Sequence, residues 1–104
     1  MKFLFIGKIK DVFMTLPVEV QLALNQDAWV FIKKYRDSGI CSMAYNVPGK
    51  LTNVTVWEAD SLEVMDQRMI ELKMSSFMDF DIYPLSDFDA NMAMHVDNMK
   101  SMLG

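Results

Sequence analysis

Along this 104-residue chain the apolar positions switch between a period of two and a period near 3.6, and each switch marks an element boundary. Residues 2–10 alternate as a strand, with Phe3, Phe5 and Gly7 on one face and Leu4, Ile6 and Lys8 on the other. Both faces are apolar at its start, as expected of a central strand covered on two sides. Gly7 marks a bulge or a close approach by a neighbour. Residues 11–16 read as a loop. Pro17 suits the first turn of a helix, and Glu19 stands against its positive end. Val20, Leu24, Ala28, Phe31 and Tyr35 then recur at helical spacing as a buried stripe. Gly39 closes the helix, with Lys33, Lys34 and Arg36 near its negative end.

The stretch from Ile40 to Glu58 predicts a hairpin of two strands joined through Asn46-Val47-Pro48-Gly49-Lys50. Pro48 presets the backbone for a turn's second position, and Gly49 supplies the positive φ that a type II turn needs next. In the second strand Thr52, Val54 and Val56 alternate with Asn53, Thr55 and Trp57, so one face is more apolar. Asp60-Ser61-Leu62-Glu63 is a capping signal with the acid at the N-cap and Glu three residues on. Leu62, Met65, Met69 and Leu72 supply the next buried stripe, and Lys73 to Ser76 ends that helix. Residues 77–85 form a fourth strand, with Met78, Phe80 and Ile82 on one face and Phe77, Asp79, Asp81 and Tyr83 on the other. Pro84 cannot donate to a ladder and places this strand at an edge, or marks its end.

Strand, helix, strand, strand, helix, strand is the split βαβ pattern. It predicts an α+β, ferredoxin-like domain over residues 1–85 with a four-stranded antiparallel sheet. Residues 86–104 form a helical tail, with Met92, Val96, Met99 and Leu103 on one side, that packs on its own subunit or on a partner.

Composition changes this picture in one respect. The chain is 52% hydrophobic, more than a small sheet with one helical layer can bury alone. The surplus points to a homodimer or higher homo-oligomer, to an apolar ligand cavity, or to both. Net charge is −4 and the ten basic residues are scattered, which argues against a nucleic-acid partner. The lone Cys41 cannot form an internal disulfide, and no uncharged apolar run approaches a membrane span. A cytoplasmic protein with no membrane partner is the expectation.

Candidate chemistry is sparse. There is no glycine-rich phosphate loop and no nucleophile elbow. With His95 the sole histidine and Cys41 the sole thiol, neither a metal site nor a histidine-based triad can be drawn, and no cofactor is expected. Catalysis would then fall to carboxylates, tyrosines or amides in an apolar pocket, where burial raises a carboxylate's pKa towards neutrality. Asp27, at the edge of the first helix's stripe, and Asp79 are the proton-transfer candidates, and Tyr45 is the third catalytic candidate. Asn46, Asn53, Thr55, Trp57 and Tyr83 are the substrate-binding candidates, with Asn53, Thr55, Trp57 and Tyr83 expected on one open sheet face.

Three segments carry a resemblance: MKFLFIGKIK with LPVEV, then SGICSMAYNVPGKLTNVTVWEADSLE, then LKMSSFMDFDIYPL. In order and spacing they resemble the first strand and helix start, the hairpin, and the last strand of the muconolactone isomerase family. The resemblance runs over residues 1–85 and implies two subunits packing their sheets into a dimeric α/β barrel. It also implies an isomerase activity in which Asp27 matches the family's helix acid. The chain departs from the family at Ala28, where the family has a second acid, and at Ser42, Met43, Tyr45 and Asn46, where the family has basic and aromatic residues. Those departures fit an uncharged, lipophilic substrate. The first reading is therefore an isomerase or cyclase of a small apolar, polyketide- or terpenoid-like molecule, in which Asp27 or Asp79 moves a proton while Tyr45, Asn46 and Asn53 orient a carbonyl. The alternatives are a non-catalytic ligand-binding or interaction module, and a cofactor-free monooxygenase of the same barrel class.

Overall fold

The structure, a computed structural model, describes residues 1–104. Strand β1 (Lys2–Ile9) leads through a 3-10 turn at Asp11–Thr15 to helix α1 (Val18–Asp37). Strands β2 (Cys41–Val47) and β3 (Thr52–Glu58) form the hairpin, and helix α2 (Leu62–Glu71) follows. A second 3-10 turn (Lys73–Phe77), strand β4 (Met78–Leu85) and helix α3 (Phe88–Met102) complete the chain. The four strands form one sheet in the order β2-β3-β1-β4, every neighbouring pair antiparallel. This is the ferredoxin-like arrangement. β1 is central and β4 an edge, consistent with apolar residues on both faces of the first and with Pro84 in the second.

Local chemistry explains the boundaries. Pro17 sits just ahead of α1, where its carbonyl accepts from the N–H groups of Val20 and Gln21 at 3.0 Å. Ser38 ends the helix, and Gly39 turns the chain into β2 at φ +80°. In the hairpin the Lys50 N–H donates to the Val47 carbonyl at 3.2 Å with Gly49 at φ +74°, as a type II turn requires. The N-cap of α2 is Ser61, not Asp60: its hydroxyl accepts from the Val64 N–H at 3.3 Å. Asp87 caps α3 in the same way through the Ala90 N–H at 3.0 Å. The predicted loop at 11–16 and the predicted end of α2 are both 3-10 turns, each burying one side chain, Phe13 and Met74.

α1 and α2 cover one face of the sheet. Phe3, Phe5 and Trp57 from the sheet meet Phe31 and Tyr35 of α1 and Met65 of α2 there. The rings of Phe31, Tyr35 and Trp57 form a triangle with centroids 5.0–5.8 Å apart. At its rim the Tyr35 hydroxyl donates to Glu71 Oε2 at 2.8 Å and ties α1 to α2. Burial, followed by the adjoining Glu71 carboxylate, raises the Tyr35 pKa, so the phenol stays protonated. Two predicted stripe residues are exposed instead, Val20 in the first turn of α1 and Leu62 at the start of α2.

The opposite face carries no helix. The register places Leu4 between Val56 and Tyr83, and Ile6 between Val54 and Asp81. Met43 and Tyr45 extend these rows on β2. α3 contributes no buried residue: Phe88, Met94, Met99, Met102 and Leu103 are all more than half exposed. The chain is 65 Å along its longest axis against 27 and 23 Å across the others.

Candidate functional site

The cavity of interest, about 380 Å³, opens between α1 and the helix-covered face of the sheet. Its helical wall is Asn25, Ala28, Trp29, Ile32 and Arg36, which share one face of α1 by their spacing of three, four, seven and eleven residues. Ala28 keeps that wall low. The sheet wall is Ala44, Asn46, Asn53 and Thr55, from the hairpin. Ile9, Leu72, Met74 and Met78 close the end with aliphatic and thioether surface. The volume lies at the small end of the range for small-molecule pockets, and the mix of apolar wall with a few polar groups is their usual make-up.

Polarity is unevenly distributed. Asn25 comes from α1, Asn46 from β2 and Asn53 from β3, and all three also line a shallower groove beside Val47, Pro48 and Gly49 of the hairpin turn. Asn46 and Asn53 are register partners. None of the three side-chain amides is hydrogen-bonded within the chain. Arg36 lies eleven residues beyond Asn25 on α1, about 16 Å along the helix axis at 1.5 Å per residue. Between them Thr55, almost fully buried, accepts a 2.7 Å hydrogen bond from Trp57 Nε1 and keeps its own O–H free to donate.

Gly7 sets the depth beneath Asn53. A Cβ at this position would stand 2.7 Å from both Asn53 Oδ1 and Met78 Cε, and 3.0 Å from Phe80 Cε1. The close approach expected of Gly7 is thus made by side chains from both flanking strands. Gly7→Ala is expected to cost about 1 kcal/mol, the low end for added bulk, because the ends of the Asn53 and Met78 side chains must both give way. Urea denaturation checks this, and an unchanged midpoint would mean that the two side chains yield freely.

The sequence-predicted residues divide into three groups. Asn46, Asn53 and Thr55 line the cavity, and Tyr45 borders it from β2. The expectation that Asn53, Thr55 and Trp57 share an open face with Tyr83 is corrected: β3 turns those three towards the helices, while Tyr83 faces the other way, opposite Leu4. Trp57 is 1% exposed and embedded among Phe31 and Tyr35, so its ring is core and not cavity wall. Tyr45 pairs with Val54, which puts its ring on the open face.

Neither proton-transfer candidate reaches the cavity. Asp27 faces the turn after α2: its Oδ2 accepts from the Lys73 N–H at 3.4 Å, and its Oδ1 lies 3.9 Å from Lys73 Nζ. That position braces α1 against the start of the turn. Asp79 is exposed on the edge strand and paired with Lys10 Nζ at 3.7 Å. Cys41 is buried, and burial raises its thiol pKa, which keeps it protonated and unreactive. Among the lining residues only Arg36 and Tyr45 are titratable, and no carboxylate is present.

Asn25, Trp29 and Arg36 were missed. Their signal is a second helical stripe running beside Leu24, Phe31 and Tyr35, visible in the spacing but masked by the polar ends that make it useful.

No group of three or more His, Cys, Asp and Glu side chains comes together in a geometry that could hold a metal ion, and no helix is long and apolar enough to cross a membrane. No protein-family model and no curated protein matches the chain by sequence. Among solved structures it is similar to a crystal structure of muconolactone isomerase, with a TM-score of 0.73 and 18% identity over 84% of this chain and 90% of that one. At that identity the likeness is one of fold: the architecture is that of muconolactone isomerase, and the cavity's chemistry has to be read from this chain's own residues.

Proposed function

We propose that the protein is a cofactor-free isomerase or cyclase that holds a small, largely apolar molecule between α1 and the sheet, and that it acts as a homodimer built on the open sheet face. The observation that carries the first half is the cavity itself, with aliphatic walls, unpaired amides and a free Thr55 hydroxyl. With no carboxylate in the lining, rate enhancement comes from holding the substrate in a reactive shape and from hydrogen bonds to developing charge, not from a carboxylate proton shuttle. The dimer is supported by the unclad rows around Leu4 and Ile6, which are flanked by Lys2 and Glu58 on one side and by Lys8 and Asp79 on the other. An apolar centre with a charged rim is the anatomy of an interface.

The absence of a carboxylate, histidine or thiol from the lining also favours a second reading, a ligand-binding module without turnover. Native mass spectrometry of freshly purified protein, followed by incubation of the released ligand with excess protein, separates the two. An isomerase returns a compound of equal mass and different chromatographic retention. A binding module returns the ligand unchanged. A bound molecule that survives Ala28→Trp, which puts an indole ring into the cavity from its helical wall, would place binding elsewhere and remove the basis of both readings.

A further inference from the structure

Resting on that cavity reading, we infer that the substrate carries a neutral carbonyl or hydroxyl group, and that Asn25, Asn46 and Asn53 together form the site that receives it. Three elements that are remote in sequence deliver one primary amide each to the same end of the cavity. The groove beneath the hairpin turn shares all three, so the amides stand where the two spaces meet. Each amide offers donors and an acceptor together, and none is used within the fold. Gly7 reinforces the assignment, because the space that a Cβ would need there is taken by Asn53 Oδ1 and Met78 Cε, a polar and a soft apolar atom of two cavity-lining residues. An enol, phenol or other hydroxyl both donates and accepts and so uses donors and acceptors mixed in this way; a ketone accepts from the amide N–H groups alone, without the negative charge that a carboxylate would bring beside the amide oxygens.

The nearest competing anchor is Arg36, about 16 Å away along α1. A ligand anchored there by a carboxylate would present its apolar body to Thr55 and Met78 and leave the amides unpaired. The amide end does not titrate, so binding through it is independent of pH across the neutral range, and it discriminates by hydrogen-bonding pattern and not by charge.

The test uses 1-indanone, its hydrocarbon indane, and indane-5-carboxylate as probes that share one bicyclic frame and differ in polarity. Each is titrated into uniformly 15N-labelled protein, with the side-chain amide pairs of the asparagines followed by NMR. We expect 1-indanone to shift the pairs of Asn25, Asn46 and Asn53 and to bind about tenfold more tightly than indane. Asn25→Leu and Asn53→Leu should each weaken it about threefold to tenfold, the range for one hydrogen bond. Asn25 lines the cavity but is itself exposed, so its variant reports on binding even if a change on β3 disturbs the sheet. Equal affinity for indanone and indane overturns the proposal, as does tighter binding of the carboxylate that is lost in Arg36→Leu. Indanone binding that persists undiminished in both asparagine variants also overturns it while leaving the cavity reading intact. Failure of all three probes to move any cavity resonance overturns the two together.

Discussion

Trp57→Ala is expected to destabilise the protein by about 3–5 kcal/mol, the range for truncating a large buried aromatic residue. The ring is 1% exposed, and it packs at 5.8 Å from Phe31 and 5.5 Å from Tyr35 by centroid, so its loss opens a void between the sheet and α1. The void is only part of the cost. Trp57 Nε1 donates to Thr55 Oγ1, and without it the nearly buried hydroxyl oxygen loses its donor. Trp57→Phe keeps a six-membered ring in the core, removes the donor and leaves a smaller void; about 1–2 kcal/mol is expected from it. For a domain of this size the alanine variant should melt at least about 12 °C lower. Equilibrium denaturation gives both values. A loss of under about 1 kcal/mol for the alanine variant would contradict the core placement of the ring. Because Thr55 also faces the cavity, the phenylalanine variant would alter ligand binding more than its small stability change suggests.

Ile6→Asp is expected to convert the proposed dimer to a folded monomer. Ile6 lies in the central strand between Val54 and Asp81, in the middle of the open face and away from the helix-covered core. An isologous interface carries every substitution twice, and here each new carboxylate would stand beside an existing one at Asp81. Burying those unpaired charges should raise the dimer dissociation constant by at least about 100-fold, corresponding to roughly 2.7 kcal/mol. Light scattering coupled to gel filtration reads the mass, and circular dichroism shows whether the subunit stays folded. A dimer that persists with unchanged affinity would mean that this face is not where the subunits meet.

The hairpin, the two covering helices and the strand order follow from periodicity and punctuation that can be read residue by residue. Pro48-Gly49 dictates the turn, and Gly39 dictates where α1 stops. Which side of the sheet the helices cover was not legible. Alternation divides β3 into Thr52, Val54 and Val56 against Asn53, Thr55 and Trp57, and the second set reads as the more polar. It is nevertheless the buried set, because Thr55 accepts the Trp57 N–H and the asparagine looks into a cavity. The aliphatic set is left on the open face, which no helix of this chain covers. A single sequence shows the two faces but not which one a subunit covers by itself. The same limit applies to Asp27: its helical position was legible, but its partner in the turn after α2 lies 46 residues away.

α3 has a capped start and a fifteen-residue length, yet it buries nothing within its own chain. A helix of that length is marginal in water when isolated. If it rests on the second subunit, its formation becomes second order in protein: dilution would unwind the last helix as the dimer comes apart, and helical content would fall with concentration at fixed temperature. The C-terminal segment would then act as the molecule's own gauge of assembly, ordered only where enough copies are present to pair.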